Sequence, residues 1–510
     1  MTFPRNLFGR LELAVCRSTP LGDVMRHLAE LHGGKAFATE ELDGEERTVT
    51  YTDAAALVER WSVAIRARSE PGTPVVLAMP NSVDKFLMCL AVSRAGGLPA
   101  PVNPQMSDAE IDHVIEDSGA ELVVEDVGQL DRGPGARGAP IEAASPEMDD
   151  VAALFYTSGT TGRPKGAALT HRALVGQVAA AAAWPFGLRR DEIVMALPVA
   201  HIMGFVALLA PAMAGVPVYF MPRFSPKRVL DVIEERRSSA FIGVPAMYRT
   251  LLEAGAAERD LTSVRVWISG ADVMPADLAR KFKSFGATAT LPGVGPVGEA
   301  AFAEGYGMVE VAGSVATKLS PPLLPVGLGD SLGIAMPGWR FRVVDGDGRP
   351  VRPGQVGELQ VTGPGVLKGY WGDEEATAST MTPDGWLRTG DLVRAGPFGS
   401  VLFHGRAKAV IKSGGFSVYP LEVESDLEEH PDVLEAAVVG FPDETLGEVP
   451  VAAVRLRPGA EVTGDDVRVW AEVRMARYKA PRRVLVVDDL PRTGTRKVQR
   501  ERLLPLFADA

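Results

Sequence analysis

Short apolar runs alternate with amphipathic helical patterns along most of this 510-residue chain, and few architectures accept that alternation. After Thr52 the apolar positions Leu57, Val58, Trp61 and Ile65 keep helical spacing, with Asp53 in the first turn. Residues 75–79 read as a buried strand, 83–94 as a helix stopped by Gly96 and Gly97, and 98–102 as a strand whose edges Pro101 and Pro104 restrict. Ser107, Asp108, Ala109 and Glu110 spell a capping box ahead of Ile111, Val114 and Ile115. Gly119 closes that helix, and 122–124 begins another strand. The alternation resumes at 241–245 and 264–269. Past Gly405, helical patterns over 421–429 and 465–477 interleave with apolar runs at 434–439, 451–456 and 484–487. The expected fold class is α/β: a large layered N-terminal domain with mixed or parallel sheets over 1–405, then a small C-terminal α+β domain over 406–510.

Composition narrows the function. A hydrophobic content of 46% with 23% charged residues suits a soluble enzyme, and a chain this long needs more than one core. The net charge of −12 argues against a nucleic-acid partner, though not against a nucleotide held by a local cluster of donors. Cys16 and Cys89 form no C-x-x-C pair and the seven histidines show no ligand spacing, so neither a disulfide framework nor a transition-metal site is expected. No secretory pattern opens the sequence, and a cytoplasmic location is expected. Residues 202–221 carry no charge, but Gly204, Pro211, Gly215 and Pro217 interrupt them. A buried helix, a turn and a buried strand are expected there, not a transmembrane anchor. Residues 131–147, rich in Gly, Pro and Ala, read as a surface connection.

That connection leads to an apolar run at 151–155 and then to Tyr156-Thr157-Ser158-Gly159-Thr160-Thr161-Gly162-Arg163-Pro164-Lys165-Gly166. The glycines let backbone N–H groups approach a ligand, the hydroxyls add donors and Lys165 adds charge, which together suit a polyphosphate. The spacing is not that of a P-loop NTPase. Residues 167–174 after it fit either strand or helix. The stretch resembles the phosphate loop of the adenylate-forming superfamily, which includes acyl-CoA synthetases, firefly luciferase and the adenylation domains of peptide synthetases.

Further motifs match that family in order. Ser269-Gly270-Ala271-Asp272 is similar to its segment beside adenine, and Glu304-Gly305-Tyr306-Gly307-Met308-Val309-Glu310 to its Tyr-Gly-x-Thr-Glu pattern, with Val309 in place of the usual threonine. The resemblance implies that Tyr306 stacks on adenine and that Glu310, with Thr160, holds Mg²⁺. It also implies that Asp391, in Arg388-Thr389-Gly390-Asp391, and Arg406 meet the ribose, and that Lys408 is a hinge between domains. Lys412, Ser413, Gly414, Gly415 and Phe416 would lie beside the pantetheine arm of coenzyme A. Lys497 would be the catalytic lysine, although Arg496 replaces the glycine before it. His201, an ordinary core histidine when read alone, would lie beside the acid with Phe205, Gly243, Met247 and Gly270. The pattern at 293–298 fits G-x-G-x-x-G, but Pro296 removes a donor and no helix follows, so a long loop is expected.

The resemblance implies an ATP-dependent carboxylic acid–CoA ligase, AMP-forming, using ATP, Mg²⁺ and coenzyme A as a monomer or homodimer. Catalysis would rest on Lys497, Thr160, Glu310 and His201. The nucleotide would contact Thr157, Ser158, Gly159, Thr160, Thr161, Gly162, Lys165 and the residues named above. The nearly apolar stretches 201–205 and 241–247 suggest a fatty or aromatic acid over an amino acid. Two alternatives stay open. An acyl group could pass to a carrier protein or another acceptor, or Val309 and Arg496 could mark a nucleotide-binding protein without turnover.

Overall fold

The computed structural model describes residues 18–508 except 43, 104, 132–144, 158–162, 180, 182–190, 324–330, 397–398, 415 and 493–497. The chain packs as two compact units. One holds 1–329, 333–340 and 362–385; the other holds 330–332, 341–361 and 386–510. The expected cut at 405 falls inside the second unit.

In the first unit a mixed sheet has six parallel strands in a row: Ala301–Met308, Val266–Gly270, Ala240–Gly243, Ile193–Met195, Val218–Phe220 and Ala36–Leu42. Antiparallel Glu45–Thr50 closes one edge and Gly313–Ser320 with Ile334–Ala335 the other. Strands parallel to their neighbours need crossovers, and the amphipathic helices Pro226–Arg236, Pro245–Glu253 and Ala276–Phe285 supply them. Trp267, Phe241, Tyr248, Phe282 and Phe302 are all buried and pack at centroid distances of 4.9–6.4 Å. Aromatic pairs of this kind add about 0.5–1.5 kcal/mol each beyond area burial, so the three strands that end nearest the motifs are firmly backed. Leu98–Pro101, Pro74–Leu77 and Leu122–Val124 form a parallel sheet of their own. The Lys85 ammonium, buried, donates to the carbonyls of Met79 and Val102 just past two of its strand ends. Burial pushes that lysine down to about 8.

Local expectations meet the structure at several points. The helix over Val83–Arg94 and the capping box at Ser107, with Gly119 left-handed at the helix end, are as read. Residues 202–221 are the helix Ile202–Ala214, a turn at Gly215 and the strand Val218–Phe220, and no described helix is long and apolar enough to cross a membrane. The ambiguous 167–174 completes the strand Lys165–Thr170 before one helical turn. The long loop expected over 293–298 is instead half of a short antiparallel hairpin, Ala289–Leu291 with Gly295–Val297. Gly293, Gly295 and Gly298 all have positive φ there, so the glycines serve a tight reversal, not a phosphate nest. Of the connection at 131–147, residues 132–144 lie outside the described residues, as do Cys16 and much of the alanine run at 179–183.

The second unit contains a four-stranded sheet of Arg340–Val344, Val356–Thr362, Leu387–Ala395 and Val401–Arg406. A further sheet orders Phe416–Val418, Ile411–Ser413, Gly447–Leu456 and Val433–Asp443, with Val484–Val486 parallel to the third of these. Helices Pro420–Glu428 and Gly464–Arg474 complete the α+β character read past Gly405, and Val423, Leu427, Val438, Val454 and Val467 share their core.

Candidate active site

Parallel register brings two distant motifs together. Gly270 pairs with Gly305 across the strands Val266–Gly270 and Ala301–Met308, and Gly243 pairs with Ser269 on the next strand over. The predicted residues Gly243 and Gly270 therefore end adjacent strands at the carboxyl edge, where open α/β sheets bind ligands, and Glu304 and Gly305 lie level with them on a strand that runs on to Met308. A methyl group on Gly270 would lie 3.1 Å from the Gly305 carbonyl and 3.3 Å from Met203 Cε. Ala271 follows at φ 68°, a left-handed conformation that costs a residue with a Cβ and is concentrated at functional sites. Asp272 Oδ1 accepts the Val273 N–H at 2.9 Å, which shapes the turn.

Tyr306 lies half-buried on the face it shares with Glu304. Glu304 pairs with its cross-strand neighbour Lys318 at 2.9 Å, and burial raises its carboxyl above the usual range while Lys318 opposes that shift. The ladder slips between Tyr306 and Gly307, where a side chain on Gly307 would run into the Gly313 carbonyl. Met308 ends the strand, Val309 is buried, and Glu310 sits in the single 3₁₀ turn Val309–Val311. Its Oε1 accepts a hydrogen bond from Tyr370 at 2.9 Å.

Thr157 and Lys165 are the register partners that flank the phosphate loop, the last pair of the hairpin it connects. Ser158, Gly159, Thr160, Thr161 and Gly162 lie outside the described residues. Gly166 faces the Tyr156 ring, which a Cβ would meet at 3.0 Å. Lys165 Nζ reaches Asp373 Oδ2 at 2.9 Å and stands 5.7 Å from the Tyr370 ring centroid. Lys165 and Glu310, about 145 residues apart in sequence, thus share one neighbour, Tyr370. Neither Tyr370 nor Asp373 was found from sequence. Their only signal was an unremarkable Gly369-Tyr370-Trp371 run.

His201 caps the helix Ile202–Ala214, its Nδ1 accepting the Met203 N–H at 3.2 Å. The cap places Met203 against Gly270, another contact the sequence did not reveal. Met247, buried, has its sulfur 3.4 Å from where a Gly243 Cβ would stand. Phe205 is fully buried, with its ring 5.1 Å from that of Phe86 and 5.3 Å from that of Phe155.

In the second unit Asp391 and Arg406 are register partners, with Nε 2.7 Å from Oδ1. The carboxylate is buried while the guanidinium is exposed and also donates to the Thr389 carbonyl. Lys408 lies exposed in the turn Ala407–Ala409. Lys412 Nζ donates to Ser417 Oγ at 2.8 Å, Ser413 is buried, and Gly414 takes φ 56° as its N–H donates to the Leu446 carbonyl. Phe416 is exposed and stacks on Tyr478 at 4.5 Å. Gly415 and Lys497 lie outside the described residues.

The sequence matches the family described as AMP-binding enzyme over residues 26–371 and the AMP-binding enzyme C-terminal domain over 422–497. It is 34% identical to a feruloyl-CoA synthase from Amycolatopsis sp, over 92% of this chain and 93% of that protein. It is 32% identical to a fatty acid–[acyl-carrier-protein] ligase from Streptomyces coeruleorubidus, over 91% and 92%. Among solved structures, ATP-bound MatB from Rhodopseudomonas palustris is similar with a TM-score of 0.83 at 30% identity, covering 96% of this chain and 99% of that one.

Proposed function

The chain belongs to the AMP-binding enzyme family, and on that premise we infer that it is an AMP-forming acid–thiol ligase. A carboxylate oxygen attacks the α-phosphorus of ATP, the bond to the β-phosphate breaks, and pyrophosphate leaves. The sulfur of coenzyme A then attacks the acyl carbon, the bond to AMP breaks, and the thiol proton passes to solvent.

One observation carries this reading. Lys165 and Glu310 converge on Tyr370, in the unit whose adjacent parallel strands carry Gly270, Gly305 and Tyr306. A cation for phosphate, a carboxylate for a hard metal ion and a backbone row open to a flat ring are what the first step requires. Glu310 fits Mg²⁺: a neutral phenol orients it, and among the described residues no lysine or arginine discharges it. Glu310 with Thr160 would hold that ion, which when bound supplies charge neutralisation at the phosphate oxygens. Lys497 would add a second donor at the α-phosphate, and Asp391 with Arg406 would hold the ribose. Lys408 would be the hinge of a small domain from 406 onward, and the 412–416 segment would meet the pantetheine arm.

The acid would enter beside His201, Met203, Gly243, Met247 and Gly270, which favours an apolar monocarboxylic acid, aromatic or fatty. Phe205 would act there only through the packing behind it. The carrier-protein ligase among the relatives supports a second acceptor, a phosphopantetheinyl arm on a protein. A cytoplasmic monomer or homodimer completes the proposal. Pyrophosphate release should be screened over aromatic and fatty acids with coenzyme A, with a phosphopantetheinyl carrier, and with neither. Acid-dependent release with a thioester formed only on coenzyme A supports the main reading, and a thioester only on the carrier supports the second. ATP binding with no acid-dependent release rejects both.

A further inference from the structure

We propose that Tyr370 and Asp373 are positioning residues that hold the metal carboxylate Glu310 and the phosphate-loop Lys165 at a fixed spacing. The inference rests on the ligase reading and assigns a part to a segment that no motif singled out.

Both residues are anchored before they touch the site. The strand Gly369–Tyr370 pairs antiparallel with Lys165–Thr170, setting Tyr370 opposite Ala167. The Trp371 N–H donates to the Gly166 carbonyl at 2.7 Å, and the Tyr370 N–H donates to Thr377 Oγ1 at 2.8 Å. The backbone beside Lys165 is therefore tied to the backbone that carries the phenol. Asp373 is fixed at its other end, because its Oδ1 caps the helix Glu374–Thr380 by accepting the Ala376 N–H at 2.8 Å. Only Oδ2 turns to Lys165, and the capping bond from Ala376, with the hydrogen bond from Lys165 second, holds the Asp373 carboxyl below its usual range.

The chemistry of each contact suits positioning. A phenol donates one hydrogen bond to a carboxylate and brings no charge, so Glu310 is oriented yet keeps its full negative charge for a cation. A lysine at 370 would compete with that cation. The Lys165 ammonium has three N–H groups, and Asp373 takes one, which confines a long side chain while leaving donors for phosphate. One short segment thereby sets two groups of opposite charge that come from separate parts of the chain.

The test uses full-length wild type, Tyr370→Phe and Asp373→Asn, with melting temperature as a control for folding. ATP binding is followed by calorimetry at several Mg²⁺ concentrations without acid, and pyrophosphate release across the same range with acid. For Tyr370→Phe the half-saturating Mg²⁺ should rise about threefold to tenfold in both assays, and the rate should return to within about twofold of wild type at saturating Mg²⁺. Asp373→Asn should weaken ATP binding about threefold or more at every Mg²⁺ concentration without moving the Mg²⁺ midpoint. A loss that saturating Mg²⁺ does not restore in Tyr370→Phe, or a Mg²⁺ midpoint unchanged from wild type, overturns the inference. Either variant decides its own residue if the other folds poorly. Wild type that binds no ATP removes the ligase reading itself, whereas wild type that binds while both variants match it removes only this inference.

Discussion

An imidazole that is buried while accepting a backbone N–H must stay neutral for the fold to keep it. His171 is so placed: it is buried and its Nδ1 accepts the Leu21 N–H at 3.0 Å. Burial pushes it down to about 4 from the ordinary 6.5, against the pull of Asp150 and Asp23. The folded value lies below the unfolded one, so its contribution is present above pH 6.5 and is lost as pH falls towards 4. The shift corresponds to ~3 kcal/mol at most. Urea midpoints should fall between pH 6.5 and 4.5, and His171→Asn, which keeps an acceptor near Nδ1, should flatten that part of the curve. An equally steep curve in the variant would clear His171 of the effect. Lys497 makes the other prediction at this scale. Lys497→Ala should cut acyl-adenylate formation by roughly 10²–10³, as removal of one preorganised donor does, and spare thioester formation from supplied acyl-adenylate. Loss in both half-reactions alike would contradict the role given to it.

At the next scale parallel register does the organising, because it sets Gly243 beside Ser269 and Gly270 beside Gly305. Gly270 tests whether that row is a ligand wall. In Gly270→Ala the new methyl would press on the Gly305 carbonyl and on Met203 Cε, the first fixed and the second flexible. The acid's KM should rise about tenfold, the cost of roughly one methylene in a pocket, with ATP affinity changed much less. Equal losses for acid and ATP would place Gly270 under the nucleotide instead. What the sequence disclosed at this level followed local rules. The capping box at Ser107, the helix 83–94 and the helix–turn–strand over 202–221 depend only on neighbours in sequence, and each formed as read. Pairing was not legible. Nothing local told that Ala36–Leu42 and Glu45–Thr50 extend the main sheet, or that Gly369–Tyr370 would dock beside Lys165. The stretch 293–298 reads from sequence as a long loop for the same reason, since nothing local told that Gly295–Val297 would pair with Ala289–Leu291. Phe205, counted toward the acid pocket by its motif, also packs against Phe86 and Phe155, contacts its sequence neighbours did not announce.

Across the whole molecule, the proposed exchange of half-reactions calls for a place where the chain could bend. The family resemblance puts the hinge at Lys408, yet 386–510 packs as part of one compact unit. Within it the His404 and Tyr419 rings stand 4.3 Å apart, on either side of that position. Rotation about Lys408, if that is the hinge, would separate those rings and turn the Ala407–Ala409 segment into another backbone conformation. Lys408→Pro holds φ near −65° and restricts Ala407 as well, so it should allow one arrangement and obstruct the other. Acid-dependent ATP–pyrophosphate exchange should stay within about threefold of wild type, while thioester formation from supplied acyl-adenylate falls at least about tenfold. That split is specific to a hinge, because damage to the site would depress exchange first. If both half-reactions proceed normally in Lys408→Pro, Lys408 is not the hinge, and the crossing at 385–386, the last of five between the two units, becomes the next segment to restrain.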